Sequence, residues 1–267
     1  MRFSIVIPMK NEAGNAARLV SEIEQACAAI GPFELIVVDD GSTDSTLAIL
    51  TGLAATRPWM RILAHQTSAG QSAAVHSGVR AATAAIVCTL DGDGQNPPDQ
   101  LPLILAPLLA TETTTETATE AATEAATEAA TGVATGPDLV AGQRKGRKDT
   151  WSKKLASIAA NRIRSTILKD GTRDTGCGLK AFRRDAFLAL PYFNHMHRYL
   201  PALFARDGGK IALVDVTHRA RGEGKSNYSN LGRAIVGLYD LIGVAWLLRR
   251  RKTAQPREIA VERGTLR

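Results

Sequence analysis

Four short apolar runs in the first hundred residues each stop at a polar or glycine-bearing loop, and the apolar positions between them take up a helical period. The runs are Phe3–Pro8, Phe33–Val38, Arg61–His65 and Ala84–Leu90. Between the first two, Leu19, Ile23, Ala26 and Ile30 fall on one face of a helix predicted over Ala16–Ile30. After Asp39-Asp40-Gly41, Ser42 or Thr43 is placed to cap a second helix through Leu53, with Asp44 favourable in its first turn. A third helix is predicted over Gln71–Ala82. Strands apolar on both faces, alternating with helices, require a parallel sheet covered on each side. The fold class is therefore α/β, a Rossmann-like domain with a mostly parallel sheet. In such sheets ligands gather at the carboxyl ends of the strands.

Beyond this pattern the chain changes character. Residues Thr111–Gly136 repeat Thr-Glu-Ala-Ala, with glutamates at 112, 116, 120, 124 and 128. As a helix, that spacing stacks five like charges on one stripe, and the recurring threonines lower helix propensity. The segment is expected to be a solvated, low-complexity insertion without chemistry. Order is expected again as a strand from Asp138 that ends at Gln143-Arg144, a helix over Trp151–Leu168 and a strand over Lys210–Val216. Leu231–Leu248 is apolar nearly all round and is followed by Arg249-Arg250-Arg251-Lys252. It is short of the roughly 20 residues needed to span a bilayer. It suits either an interfacial helix with cationic anchors or a helix docked on the domain or on a second copy.

Charge divides the chain unevenly. Up to Gln143 there are 6 Lys+Arg against 16 Asp+Glu; from Arg144 onward there are 27 against 10. An acidic half able to hold a metal is thus joined to a basic half able to hold phosphate or to lie on anionic lipid. The basic half carries no zinc, helix-turn-helix or aromatic stacking signature, so a nucleic-acid partner is not expected. Cys27, Cys88 and Cys177 have no paired or metal-like spacing and read as buried thiols of a reducing compartment. No secretory signal is visible after Met1, which points to a cytoplasmic chain.

The loops after the strands carry the chemistry. Asp91 and Asp93 stand one residue apart after the fourth strand, and two such carboxylates repel unless a cation lies between them. A hard divalent ion with positions left for phosphate oxygens suits them, with Gln95 adjacent. Pro8-Met9-Lys10-Asn11-Glu12 follows the first strand, and Asp39-Asp40 follows the second, where an acidic side chain can accept from a base or ribose. Arg144 closes the strand after the insertion. Each alone suits a turn; four loops from separate strands converging on one crevice suit a binding site.

Val-Ile-Pro-Met-Lys-Asn-Glu, Val-Val-Asp-Asp-Gly-Ser-Thr-Asp-Ser-Thr and Leu-Asp-Gly-Asp-Gly-Gln-Asn-Pro-Pro resemble the hallmarks of family 2 inverting glycosyltransferases. Within that family they are similar to the dolichol-phosphate mannosyltransferase and polyprenyl-phosphate glycosyltransferase branch. The resemblance extends through Asp174–Lys180, His197–Pro201 and Arg221–Tyr228. It implies a GT-A-type nucleotide-sugar-binding domain over residues 1–228, interrupted at 111–136; by periodicity the chain then continues as a helix over 229–252 and, where periodicity ends, a disordered tail over 253–267. It further implies that Pro8, Glu12, Asp39 and Asp40 line the donor nucleotide. Asp91, Asp93 and Gln95 would surround Mg²⁺ or Mn²⁺. Arg144, Arg221 and Ser226 would engage donor or acceptor phosphates, with Asp93, Arg144 and Arg221 carrying the catalysis. The implied partners are a nucleotide-sugar donor, a polyprenyl-phosphate acceptor, an anionic membrane surface at the inner face of the cytoplasmic membrane, and a second copy of the chain. Two departures bear on these roles: Met9 stands where an aromatic residue is common, and Asn227 where lysine usually follows the serine. A nucleotidyltransferase is disfavoured, since the first loop lacks the Gly-rich, cationic form that such chemistry uses. The histidines His76, His195 and His197 are expected to be structural, because a lipid phosphate acceptor, with a second pKa of about 6, needs no general base.

Overall fold

The computed structural model describes residues 1–111, 136–144, 164–168, 170–219, 230–252 and 254, with 230–235 as backbone alone. Among these residues, seven strands form one sheet in the order β3-β2-β1-β4-β6-β5-β7. They are β1 (Phe3–Met9), β2 (Phe33–Asp39), β3 (Met60–Ala64), β4 (Ile86–Thr89), β5 (Leu139–Arg144), β6 (Lys180–Arg183) and β7 (Ile211–Val216). All neighbours pair parallel except β6, which runs antiparallel between β4 and β5. Helices α1 (Ala13–Cys27), α2 (Thr46–Ala54) and α3 (Gln71–Ala81) connect the first four strands. Further helices are α4 over 101–111, α5 over 164–168, α6 (Arg184–Leu188), α7 (Leu200–Arg206) and α8 (Asn230–Arg250).

Alternation along the strands builds two cores. Ile5, Ile7, Leu35, Val37, Ile86 and Cys88 face α1, α2 and α4, where they meet Leu19, Ile23, Leu50, Leu101, Ile104 and Leu108. Val6, Ile36, Val38, Val87 and Phe182 point the other way, against Val75 and Val79 of α3 and Leu200, Leu203 and Phe204 of α7. The central strands β1, β2 and β4 are thus buried on both faces, as their near-continuous apolar runs require, while the edge strands β3 and β7 are only partly covered. Gly78 lets α3 lie directly on β1, since a Cβ there would stand 2.3 Å from Val6 Cγ1.

The parallel register sets the edge that matters. Met9 pairs with Asp39, Asp39 with Ala64 and Val6 with Thr89, so the loops after β1, β2 and β4 leave the sheet at one level. The chain turns back across the sheet between β1 and β4, the position at which open α/β sheets form their crevice.

Some elements depart from the sequence expectation. Helix α2 starts at Thr46 rather than after Ser42 or Thr43. Asp44 Oδ1 accepts from the Thr46 N–H at 2.9 Å, whereas Ser42 and Thr43 are drawn off to the β1 loop. Strand β6 and helices α4, α6 and α7 lie outside the elements that the sequence pattern predicts. Helix α8 is present, and it docks one apolar face through Leu241, Val244 and Leu248. Leu238, Tyr239, Ile242 and Trp246 remain exposed on its other side. No helix among the described residues is long and apolar enough to cross a membrane. Of the helix expected over Trp151–Leu168 only 164–168 is described, and the segment 112–135 and all of the tail but residue 254 lie outside the described residues.

Candidate active site

The first wall of the crevice is a clasp between the β1 and β2 loops. Asn11, in the left-handed region at φ 55°, accepts from the Thr43 N–H at 2.8 Å, and its own N–H donates to Ser42 Oγ at 2.9 Å. The Glu12 N–H donates to Thr46 Oγ1 at 2.9 Å, and its carboxylate accepts from Asn15 at 2.7 Å. This fixes Pro8 to Glu12 beside Asp39. One Asp39 oxygen accepts from the Ser42 N–H at 3.1 Å; the other, Oδ1, is buried with no hydrogen-bond partner among the described residues. A buried acceptor left unmet is costly, and it is the feature expected of a group awaiting a ligand donor.

Asp40, expected next to it as a second nucleotide contact, is differently engaged. His65 and the Ala69 N–H share its Oδ1 at 2.7 and 2.8 Å, and Ser68 Oγ and the Gly70 N–H share Oδ2 at 2.7 and 2.8 Å. Burial pushes its pKa up, but the Ala69 N–H, Ser68, His65 and the Gly70 N–H outweigh that and hold it below the usual carboxylate value. Asp40 therefore anchors the loop that starts α3 and offers no free oxygen to a ligand.

The loop after β4 forms the floor. Gly92 passes so close to β1 that a Cβ would lie 2.8 Å from the Pro8 carbonyl oxygen, and Gly94 turns the chain at φ 71°. Asp93 accepts from the Gln95 N–H at 3.1 Å, and the Gln95 carbonyl accepts from the Arg219 N–H at 2.9 Å. Asp91 is held by two side-chain amides: Gln71 on Oδ1 at 2.7 Å and Asn96 on Oδ2 at 3.1 Å. Its pKa is raised, first by burial and then by the charge of Asp93, against the opposing pull of Lys180, Asn96 and Arg144. Among the described residues no group of three or more His, Cys, Asp or Glu forms a complete metal cage. The donor set fits a divalent ion that completes its shell elsewhere. Two oxygen-bearing side chains repel each other here, and each Asp91 oxygen keeps acceptor capacity beyond its amide bond.

Opposite the carboxylates stands a cationic wall. Arg144, at the end of β5, makes a bidentate pair with Asp174, through Nε and through Nη2 at 2.8 Å. The Asp174 hydrogen bonds, above all, raise the Arg144 pKa, so the guanidinium is permanently charged. Gln143 holds the other side of the pair, accepting from the Arg173 and Asp174 N–H groups at 2.9 and 3.0 Å. Strand β6 then places Lys180 opposite both Thr89 and Ala141. This lysine is buried, and its ammonium donates to the Cys177 carbonyl. Gly178 rests against the Asp91 carboxylate, where a Cβ would lie 2.2 Å from Oδ2. Gln71, Asp91, Gly178, Lys180 and His197 line one cavity of about 20 Å³. His197 is tied to Ser72 Oγ at 2.7 Å; its pKa lies well below the usual value, first because of burial and then because of Lys180.

The structure thus brings together Pro8, Glu12, Asp39, Asp91, Asp93, Gln95 and Arg144 on one edge, and turns Asp40 to another task. Arg221 and Ser226 lie outside the described residues. Gln71, Asn96, Gln143 and Lys180 were not singled out in the sequence. Asn96 and Lys180 fall within the motifs Leu90–Pro98 and Asp174–Lys180, where they carry no role of their own, and Gln71 and Gln143 meet the site only through tertiary pairing.

A Rossmann-like sheet thus carries an unmet acidic acceptor, a carboxylate pair and an opposed arginine at one switch point, where such sheets bind their ligands. The chain matches the glycosyl transferase family 2 model over residues 4–190 and belongs to that family. It is 31% identical to the dodecaprenyl-phosphate galacturonate synthase of Rhizobium johnstonii, over 93% of this chain and 68% of that protein. It is 33% identical to the undecaprenyl-phosphate 4-deoxy-4-formamido-L-arabinose transferase of Pectobacterium carotovorum, over 90% of this chain and 66% of that one. The chain spans about two thirds of the length of these relatives. Glucosyl-3-phosphoglycerate synthase from Mycobacterium tuberculosis, solved with Mn²⁺, UDP and glucosyl-3-phosphoglycerate, shares the fold at a TM-score of 0.63 and 19% identity, covering 92% of this chain and 79% of that one. The same synthase solved with Mg²⁺ and UDP gives a TM-score of 0.61. The chain is a family 2 glycosyltransferase, and these two curated relatives are polyprenyl-phosphate sugar transferases.

Proposed function

We propose that the chain transfers a sugar from a nucleotide diphosphate, GDP-mannose or a UDP-sugar, to a polyprenyl or dolichyl phosphate, with inversion at the anomeric carbon. The observation that carries this reading is the convergence of the unpartnered Asp39 oxygen, the Asp91–Asp93 pair and the tethered Arg144 on one sheet edge. Asp39 accepts from the base or ribose, with Pro8 and Glu12 beside it. Asp91, Asp93 and Gln95 hold Mg²⁺ or Mn²⁺, which when bound neutralises the diphosphate of the donor. That fold neighbours were solved with either ion supports this assignment. Arg144, with Arg221 and Ser226, supplies the remaining phosphate contacts.

The acceptor phosphate monoester is largely ionised at neutral pH, its second pKa being about 6. One of its oxygens attacks the anomeric carbon as the bond to the donor diphosphate breaks, and the nucleoside diphosphate leaves. No side chain has to remove a proton. That agrees with His197, which is half-buried, tied to Ser72 and has its pKa held well below the usual value. The protein's contribution is alignment and charge neutralisation.

The exposed face of α8 supports peripheral attachment to an anionic membrane at its cytoplasmic face. Leu238, Tyr239, Ile242 and Trp246 point outward, and Arg249, Arg250 and Lys252 are exposed or partly exposed beside them. The test is to incubate the protein with undecaprenyl or dolichyl phosphate, labelled GDP- and UDP-sugars, and Mg²⁺ or Mn²⁺. Label should enter the lipid fraction for one donor. Label reaching only a saccharide acceptor would replace the lipid assignment.

A further inference from the structure

Lys180 is the buried charge for which the reaction as proposed has no use. It lies in mid-sheet, paired across to Thr89 on one side and Ala141 on the other, and is 3% exposed. Its ammonium donates to the Cys177 carbonyl and lines the same cavity as Asp91. Burying a lysine costs several kcal/mol, and an apolar side chain of similar length would be cheaper there. Its burial and its bond to the Cys177 carbonyl hold the cation in place. Its charged neighbours are Asp91, Asp174 and Arg144, the last bound to Asp174, and Asp93 acts on Asp91 beside them. Three anions against two cations leave only one net negative charge on these side chains. That is little with which to dehydrate a free divalent ion, while two fixed cations favour an incoming diphosphate.

We propose that Lys180 is a positioning residue whose fixed charge makes the divalent cation and the donor diphosphate enter the site as one unit, disfavouring the free cation. This rests on the reading of the crevice as a metal–diphosphate site and adds the residue that couples the two. Gln71 and Asn96 hold the Asp91 oxygens ready in the meantime, so the ion is not needed to shape the loop.

The experiment compares the unaltered chain with Lys180→Met and Lys180→Arg, using Mn²⁺ alone and Mn²⁺ with inorganic pyrophosphate as probes. Free Mn²⁺ is followed by electron paramagnetic resonance and labelled pyrophosphate by equilibrium dialysis. The unaltered chain should bind Mn²⁺ at least about tenfold more tightly with pyrophosphate than without it, a modest effect for one nearby unit charge. Lys180→Met should tighten Mn²⁺ alone and weaken Mn²⁺-pyrophosphate, each by about tenfold or more, and Lys180→Arg should restore the original order. Lost packing weakens both and cannot give opposite signs. A folded Lys180→Met protein in which both affinities move together, or neither moves, overturns the proposal. Should that variant fail to fold, the unaltered chain decides: equal Mn²⁺ affinity with and without pyrophosphate overturns it as well. Binding of neither probe would instead bring down the metal–diphosphate reading itself.

Discussion

Asp39 and Asp40 are adjacent and almost equally buried, at 2% and 4% exposure, yet their surroundings assign them different tasks. Asp40 is surrounded by donors from residues 65–70, while Asp39 has one oxygen unmet. Sequence could place both at the end of β2 but could not separate them, because the donors belong to a loop some thirty residues on. Asp91 and Asp93 were legible because mutual repulsion of close carboxylates is a local property. We predict that Asp93→Asn lowers turnover at saturating Mn²⁺ by at least about 10²-fold, the scale of losing a principal electrostatic stabiliser. Full turnover of that variant in EDTA would remove the metal from the mechanism. Far from the site, Glu34 accepts from Ser4, the Thr83 N–H, Thr83 Oγ1 and Arg61 at 2.6, 2.5, 2.7 and 2.9 Å. Burial opposes its ionisation, yet these bonds hold its pKa at about 2. A carboxylate depressed in the folded state stabilises fully above its unfolded pKa of about 4.3 and loses that contribution as pH falls toward 2. Thermal melts should therefore show the parent losing stability between pH 5 and pH 2, by roughly 3 kcal/mol from this group. Glu34→Gln should start lower at pH 7 and fall less; parallel curves would contradict the assignment.

At the scale of elements, long apolar runs were readable and short paired ones were not. Strand β6 is four residues, Lys-Ala-Phe-Arg, with charges at both ends, and only its insertion between β4 and β5 makes it a strand. Helix α8 was legible as apolar, but sequence left open whether it lies on a membrane or docks. It docks through Leu241, Val244 and Leu248, with Tyr199 Oη donating to the Gly237 carbonyl at 3.3 Å and His195 paired to Asp240 at 2.9 Å. The opposite face stays open, with Tyr239 at 73% exposure and Arg250 stacked over Trp246 at 5.8 Å. Of the four terminal cations Arg251 is already committed, donating to the Arg206 and Asp207 carbonyls at the end of α7. Changing Arg249, Arg250 and Lys252 to Glu should release the protein from anionic vesicles, since each cation contributes about 1 kcal/mol near such a surface. Donor binding should be unchanged. Equal co-sedimentation of variant and parent at low salt would make the exposed face a contact for protein rather than lipid.

For the whole molecule, the acidic and basic halves of the sequence meet at one crevice: Asp39, Asp91 and Asp93 come from before the Thr/Glu/Ala repeat, and Arg144, Asp174 and Lys180 from after it. The repeat separates α4 from β5, and the seven strands pair into one sheet among the described residues, which do not include 112–135. Replacing 111–136 by a short Gly/Ser linker should leave transfer rate and melting temperature nearly unchanged. A fall in melting temperature of more than about 5 °C would mean something like 1 kcal/mol of structure resides there.

The antiparallel strand β6 also dictates how the molecule is made. Lys180 is 91 residues beyond Thr89, its neighbour across the sheet. A nascent chain therefore completes β1 to β4 long before the strand that closes β4 has left the ribosome. Until then β4 presents an open row of backbone donors and acceptors, the kind of edge to which other chains add. Closure across so large a loop is intrinsically slow. The early half thus emerges with its carboxylates unopposed and its sheet unfinished. The step that hides the sticky edge is the same one that delivers the cations to the crevice, so a chain cut short before Lys180 is both inactive and prone to aggregate.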